Sequence, residues 1–105
     1  MDATYCWFIS EDHIAQPGDK PGTNLNAVGV QGPSNAPQTI GEGWEVVPFR
    51  MYDDDGILYY AGMIMAEDVN SEEALFGPLD DFGTPNAGCT RIDILNDRTR
   101  MWETV

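Results

Sequence analysis

The segment from Trp44 to Ala66 constrains the fold more than any other part of the chain. Trp44–Tyr52 and Ile57–Met65 are both rich in β-branched, aromatic and other apolar residues, and Asp53-Asp54-Asp55-Gly56 separates them. Two such runs joined by an Asp-Gly pair predict a β-hairpin, because glycine accepts the positive φ that a tight turn requires. Pro48 has no N–H for a ladder, so it predicts an edge position or a bulge. The second run is apolar on both of its faces. Ile57, Tyr59, Ala61, Met63 and Met65 alternate with Leu58, Tyr60, Gly62 and Ile64. A strand of that kind is expected to be central, or covered on its second face by loops or another subunit.

The flanks add shorter elements. Residues 3–9 read as a strand, and Leu25–Val30 as a short one ended by Gly32-Pro33. Residues 16–24 and 32–43 are loops by composition, the second holding at most one helical turn. Ser71–Phe76 predicts the one clear helix. Asn70 or Ser71 caps it, acids occupy its first turn, and Gly77-Pro78 stops it. Leu79–Gly88 reads as a loop, Cys89–Leu95 as a half-buried strand, Asn96-Asp97 as a turn and Thr99–Val105 as a closing strand carrying Trp102. The expectation is a single domain over residues 1–105. Its class is α+β, a mostly antiparallel sheet of five or six strands with one or two short helices.

Charge then limits function. The chain has 18 acidic and five basic residues, a formal net charge of −13. Eleven carboxylates and one base, Arg50, fall between Glu42 and Asp81, whereas residues 82–105 balance three acids with three arginines. Such a field repels nucleic acid and anionic membranes and attracts basic proteins. Three Trp, four Tyr and four Phe supply core material that disordered acidic chains lack. The start of the chain shows no basic leader and no long apolar run, so the expectation is a cytoplasmic protein without a membrane span, its Cys6 and Cys89 reduced.

Candidate chemistry is sparse. The run Asp53-Asp54-Asp55-Gly56 lacks the alternating oxygens of a calcium loop, and Gly62 stands where that loop places its glutamate. Turn chemistry accounts for it without metal. His13, the sole histidine, lies in a polar cluster, Ser10-Glu11-Asp12-His13, that reads as a cap or a surface group. A small hydrolase or metal protein built on His13 with Cys6 or Cys89 has no supporting spacing. The glycine pairs at 29–32 and 41–43 lack the lysine and hydroxyl of a phosphate loop. No cofactor and no catalytic residue is expected.

What remains is the acidic surface, in four clusters: Asp53, Asp54 and Asp55; Glu67 and Asp68; Glu72 and Glu73; Asp80 and Asp81. Carboxylates alternating along a strand would lie about 7 Å apart, near the spacing of phosphates along one nucleic-acid strand. A surface of that kind could occupy a Lys/Arg groove made for DNA or RNA and gain the same counterion release. The competing readings are a solvated face that confers solubility, and adaptation to salt.

The block Phe49–Gly62, with Pro78–Gly83 and Asn86–Thr90, resembles a family of small acidic uncharacterised proteins of bacteria and their mobile elements, to which no activity is attached. In size and charge the chain also resembles phage anti-CRISPR and other anti-restriction proteins, many of which imitate DNA. That resemblance implies a non-enzymatic inhibitor. It would bind a basic nucleic-acid-handling protein, such as a CRISPR–Cas component, through the nine acids named above, without touching nucleic acid itself. The alternative is a structural or regulatory domain, monomeric or homodimeric through the two-faced apolar strand.

Overall fold

A computed structural model describes residues 3–23, 25–37 and 42–105. Asn24 of the first expected loop and residues 38–41 of the second, with Gly41 of the second glycine pair, lie outside the described residues. The described residues form six strands: β1 (Tyr5–Asp12), β2 (Gln31–Gly32), β3 (Glu45–Tyr52), β4 (Leu58–Ala66), β5 (Arg91–Leu95) and β6 (Trp102–Thr104). They form one sheet in the order β2-β1-β4-β3-β5-β6, every neighbouring pair antiparallel. Two short helices, α1 (Glu72–Leu75) and α2 (Thr84–Ala87), flank a π-helical turn at Leu79–Gly83. The α+β class is as expected.

The hairpin forms as the Asp-Gly signal predicts. Gly56 N–H donates to the Asp53 carbonyl at 3.0 Å, and Gly56 adopts φ 77°. Asp53 Oδ1 accepts from the N–H groups of Asp55 and Ile57, each at 2.9 Å. β4 is central, between β1 and β3. Pro48 does not lie in an outer strand, but it marks a local edge. β5 pairs with Phe49–Tyr52 only, so among the described residues the half of β3 that includes Pro48 has no strand paired on that side.

Register decides which face is buried. Tyr5, Trp7 and Ile9 stand opposite Ala66, Ile64 and Gly62, while Val47, Phe49 and Met51 stand opposite Ile64, Gly62 and Tyr60. These side chains form one core cluster with Ala74, Leu79, Cys89 and Ile92, and Phe76, Phe82 and Ala87 pack against it. The helical layer therefore covers one face of the sheet. The molecule measures 38 × 31 × 20 Å, the thin axis matching one sheet and one layer.

Three expectations are corrected. Leu79–Gly88 is not a loop but helical over most of its length. Pro85 has no N–H to close an α-turn, and the Thr84 N–H reaches back five residues to the Leu79 carbonyl. Leu25–Val30 is not a strand. The chain pairs with Trp7 and Phe8 only after Val30, at the two residues Gln31 and Gly32. The closing strand is only Trp102–Thr104, because Asn96 holds the preceding turn through bonds from Arg98 and Thr99 N–H to its Oδ1.

Both cysteines are free. Cys6 alternates with Tyr5 and Trp7 and so faces away from the core that contains Cys89. Burial pushes the Cys89 thiol from 9.0 up to about 11 and, with the Asp12 charge adding to it, the Tyr60 phenol from 10.0 up to about 12. In both cases the unfolded chain releases its proton first. The stabilising contribution is thus complete below about pH 9 and is lost as the pH rises from 9 to 12. Urea titrations are expected to show stability falling by roughly 2 kcal/mol or more across that window. The fall should be shallower in Cys89→Ala, and a flat profile would contradict the assignment.

Candidate functional site: an acidic surface in two groups

None of the nine acids lies within a strand. The expected row of carboxylates at 7 Å spacing along a sheet is therefore absent, since strand positions on the core face carry apolar side chains and the acids fall in turns and helices. All nine have exposed side chains except Asp53, which is half-buried.

The acids separate into two groups. Asp53, Asp54 and Asp55 form the tip of the β3–β4 hairpin. Glu67 and Asp68 leave β4 at its other end, nine residues away along the strand, a distance of about 30 Å. Glu67 N–H bonds the Thr4 carbonyl at 3.1 Å, which places this exit beside the start of β1. Asp68 Oδ1 accepts from Asn70 N–H, and Ser71 Oγ caps α1 by accepting from Ala74 N–H at 3.1 Å, so Glu72 and Glu73 follow directly. The π-helical turn brings in Asp80 and Asp81 over the same end of β1.

Tyr5 is the meeting point. Asp81 Oδ2 accepts from the Tyr5 hydroxyl at 2.8 Å and from Trp7 Nε1 at 3.0 Å. Burial raises the Tyr5 phenol well above its ordinary range, and the Asp81 hydrogen bond and the charges of Asp81, Glu73 and Asp80 raise it further. Six of the nine acids thus belong to one end of the molecule: Glu67, Asp68, Glu72, Glu73, Asp80 and Asp81. The hairpin-tip trio does not join them. Asp53 there acts on its own turn, and its carboxyl is held below the usual range chiefly by the Ile57 N–H.

Among the described residues the ion pairs are His13 with Glu11 at 3.0 Å and Arg91 with Asp93 at 3.2 Å. Neither involves the nine acids. Two of the five bases are engaged with aromatic rings: Arg50 stacks over Trp102 and Arg91 over Tyr52, each 4.0 Å from the ring centroid. Asp93, 7% exposed, accepts from Arg91 Nη2 and from Thr104 Oγ1 at 2.7 Å. Arg91 and Asp93 were not anticipated as a pair, although their i, i+2 spacing on one strand puts them on the same face.

His13 and Cys89 occupy different environments, one exposed and one buried. His13 is exposed and bonded to Glu11, as a surface cluster should be, and Asp12 Oδ1 organises the following turn by accepting from Ile14 and Ala15 N–H. Cys89 is fully buried with its thiol proton held firmly, the opposite of what an attacking thiolate needs. Among the described residues no three His, Cys, Asp or Glu side chains are grouped to hold a metal ion, and no helix is long and apolar enough to cross a membrane. Comparison with protein-family models, with curated proteins and with solved structures finds no match to this chain.

Proposed function

We propose that this protein is a non-enzymatic, anti-CRISPR-like inhibitor acting in the cytoplasm. Its six-acid end occupies a basic groove of a nucleic-acid-handling protein, with a CRISPR–Cas component as the class of target. The observation that carries the reading is that all six carboxylates lack an ion-pair partner among the described residues while sitting together on exposed turns and a short helix. Gathering like charges costs folding free energy, and a cationic partner would relieve that repulsion.

The test is capture of partners from a bacterial lysate by the immobilised protein, repeated at rising salt. A complex that neutralises about six charges in the manner of DNA should lose a thousandfold or more in affinity between 50 and 200 mM salt. Reversing Glu67, Asp68, Glu72, Glu73 and Asp80 to lysine should abolish capture and leave the circular dichroism spectrum unchanged. Capture that survives both salt and reversal would rule out the polyanion reading. A second reading, a regulatory homodimer, is favoured by the open sheet face. Phe8, Met63 and Pro48 are only half-buried there, and the helical layer lies on the other side. A sizing column showing a dimer at micromolar concentration would support it.

A further inference from the structure

β3 continues for four residues beyond the end of its pairing with β5. Tyr52 accepts from Thr90 N–H at 2.9 Å, so the even-numbered residues of β3 direct their backbone groups toward the β5 side. At Val46 and Pro48 that side is unpaired. Pro48 lacks the N–H that would continue the ladder, and the chain turns away at Asn96, whose N–H bonds the Met101 carbonyl at 2.9 Å. Among the described residues, the Val46 N–H and carbonyl and the Pro48 carbonyl have no strand partner and form a short open edge.

The edge borders a groove of about 940 Å³. Val47, Leu75 and Ile94 give it an apolar lining, and Val46, 60% exposed, stands at its margin. Three acids, Glu45, Asp97 and Glu103, line it against one base, Arg98. A strand laid along the edge would alternate its side chains between the apolar lining and solvent, so the matching sequence alternates apolar and basic residues. A second copy of this chain fits poorly. It would set Glu45 near its own counterpart and bring −13 against −13.

We propose that the open half of β3 is a strand-addition site for an extended, lysine- or arginine-bearing segment of a partner protein. The groove adjoins the six-acid end, because Val69, Asn70 and Leu75 line it and Glu45 stands opposite Ala66; amide methylation, which changes no charge, therefore separates strand pairing at this edge from attraction to those carboxylates. The probe is a fluorescein-labelled hexapeptide of alternating lysine and valine, titrated against the protein and followed by anisotropy. Saturable binding is expected, and methylating alternate amide nitrogens of the peptide should weaken it about tenfold with no change of charge. Val46→Pro, which removes the edge N–H, should do the same, whereas Val46→Ala should not. Absence of binding, or binding indifferent to amide methylation, would overturn the proposal, and that arm needs no protein variant. A dimer on a sizing column that Val46→Pro dissolves would assign the edge to a second copy instead.

Discussion

Gly62→Ala is expected to cost more than about 3 kcal/mol and to leave little folded protein at room temperature. Gly62 lies at the centre of β4, opposite Ile9 on one side and Phe49 on the other. A Cβ at this position would collide with the backbone carbonyl oxygen of Phe8 and come within 2.9 Å of two Phe49 ring atoms. The Phe49 ring is fully buried and has nowhere to retreat. The Phe8 oxygen belongs to a strand paired with β4, so it can withdraw only if β1 and β4 part. A loss of this size is a large fraction of the 5–15 kcal/mol that holds a typical domain together. It corresponds to a drop of at least about 12 °C in Tm for a chain of this length. Thermal unfolding followed at 222 nm would check it. A Tm within a few degrees of the parent would mean that the sheet can open at this point at little cost. Shrinking the ring with Phe49→Leu should not rescue the variant, because the collision with backbone remains.

Asp81→Lys is expected to destabilise by about 2–4 kcal/mol, unlike the same change at Asp80. The two acids are adjacent in sequence, and both belong to the exposed group. Only Asp81 ties the helical layer to the sheet, through the Tyr5 hydroxyl and the Trp7 indole N–H. Hydrogen bonds to an ionised acceptor are worth more than neutral ones, and their loss strands two donors beside a buried face. Lysine adds a third donor where an acceptor is required. Asp80→Lys should fall within about 0.5 kcal/mol of the parent. The comparison is read from urea midpoints, followed by circular dichroism at 222 nm. Equal stability of the two variants would contradict the role assigned to Asp81. Because Asp81 has this structural duty, it is omitted from the charge-reversal set that tests the proposed function.

The acidic surface was only partly legible in the chain. Exposure of the clusters followed from their placement at a turn, a strand exit and a helix start. Their division into six and three did not. It depends on β4 running the length of the sheet and on the Tyr5 end of β1 lying antiparallel to the β4 exit. The helical stretch after Pro78 was missed for a related reason. Gly77-Pro78 reads as a stop, yet proline also suits the first turn of a new helix, and Gly88, at φ 72°, supplies its left-handed end. Phe76, Leu79 and Phe82 recur every three residues, a helical spacing that would have revealed a buried stripe. Phe82 proves to be an aromatic hub, its ring centroid 5.8 Å from Trp7 and 5.3 Å from Tyr60.

What the sequence determined by itself was local. The Asp55-Gly56 turn, the serine cap of α1, the central place of a strand apolar on both faces, and the sign and concentration of charge all arise from neighbours within a few residues. The tertiary structure alone decided which strand lies beside β1, which acids meet at Tyr5, that Asp81 is a latch as well as a charge, and that half of β3 keeps an open edge. Those facts depend on groups more than seventy residues apart, as Tyr5 and Asp81 are, and on where one strand stops pairing with another. Side-chain alternation specifies the face a residue occupies, but packing of the whole chain specifies what it meets there.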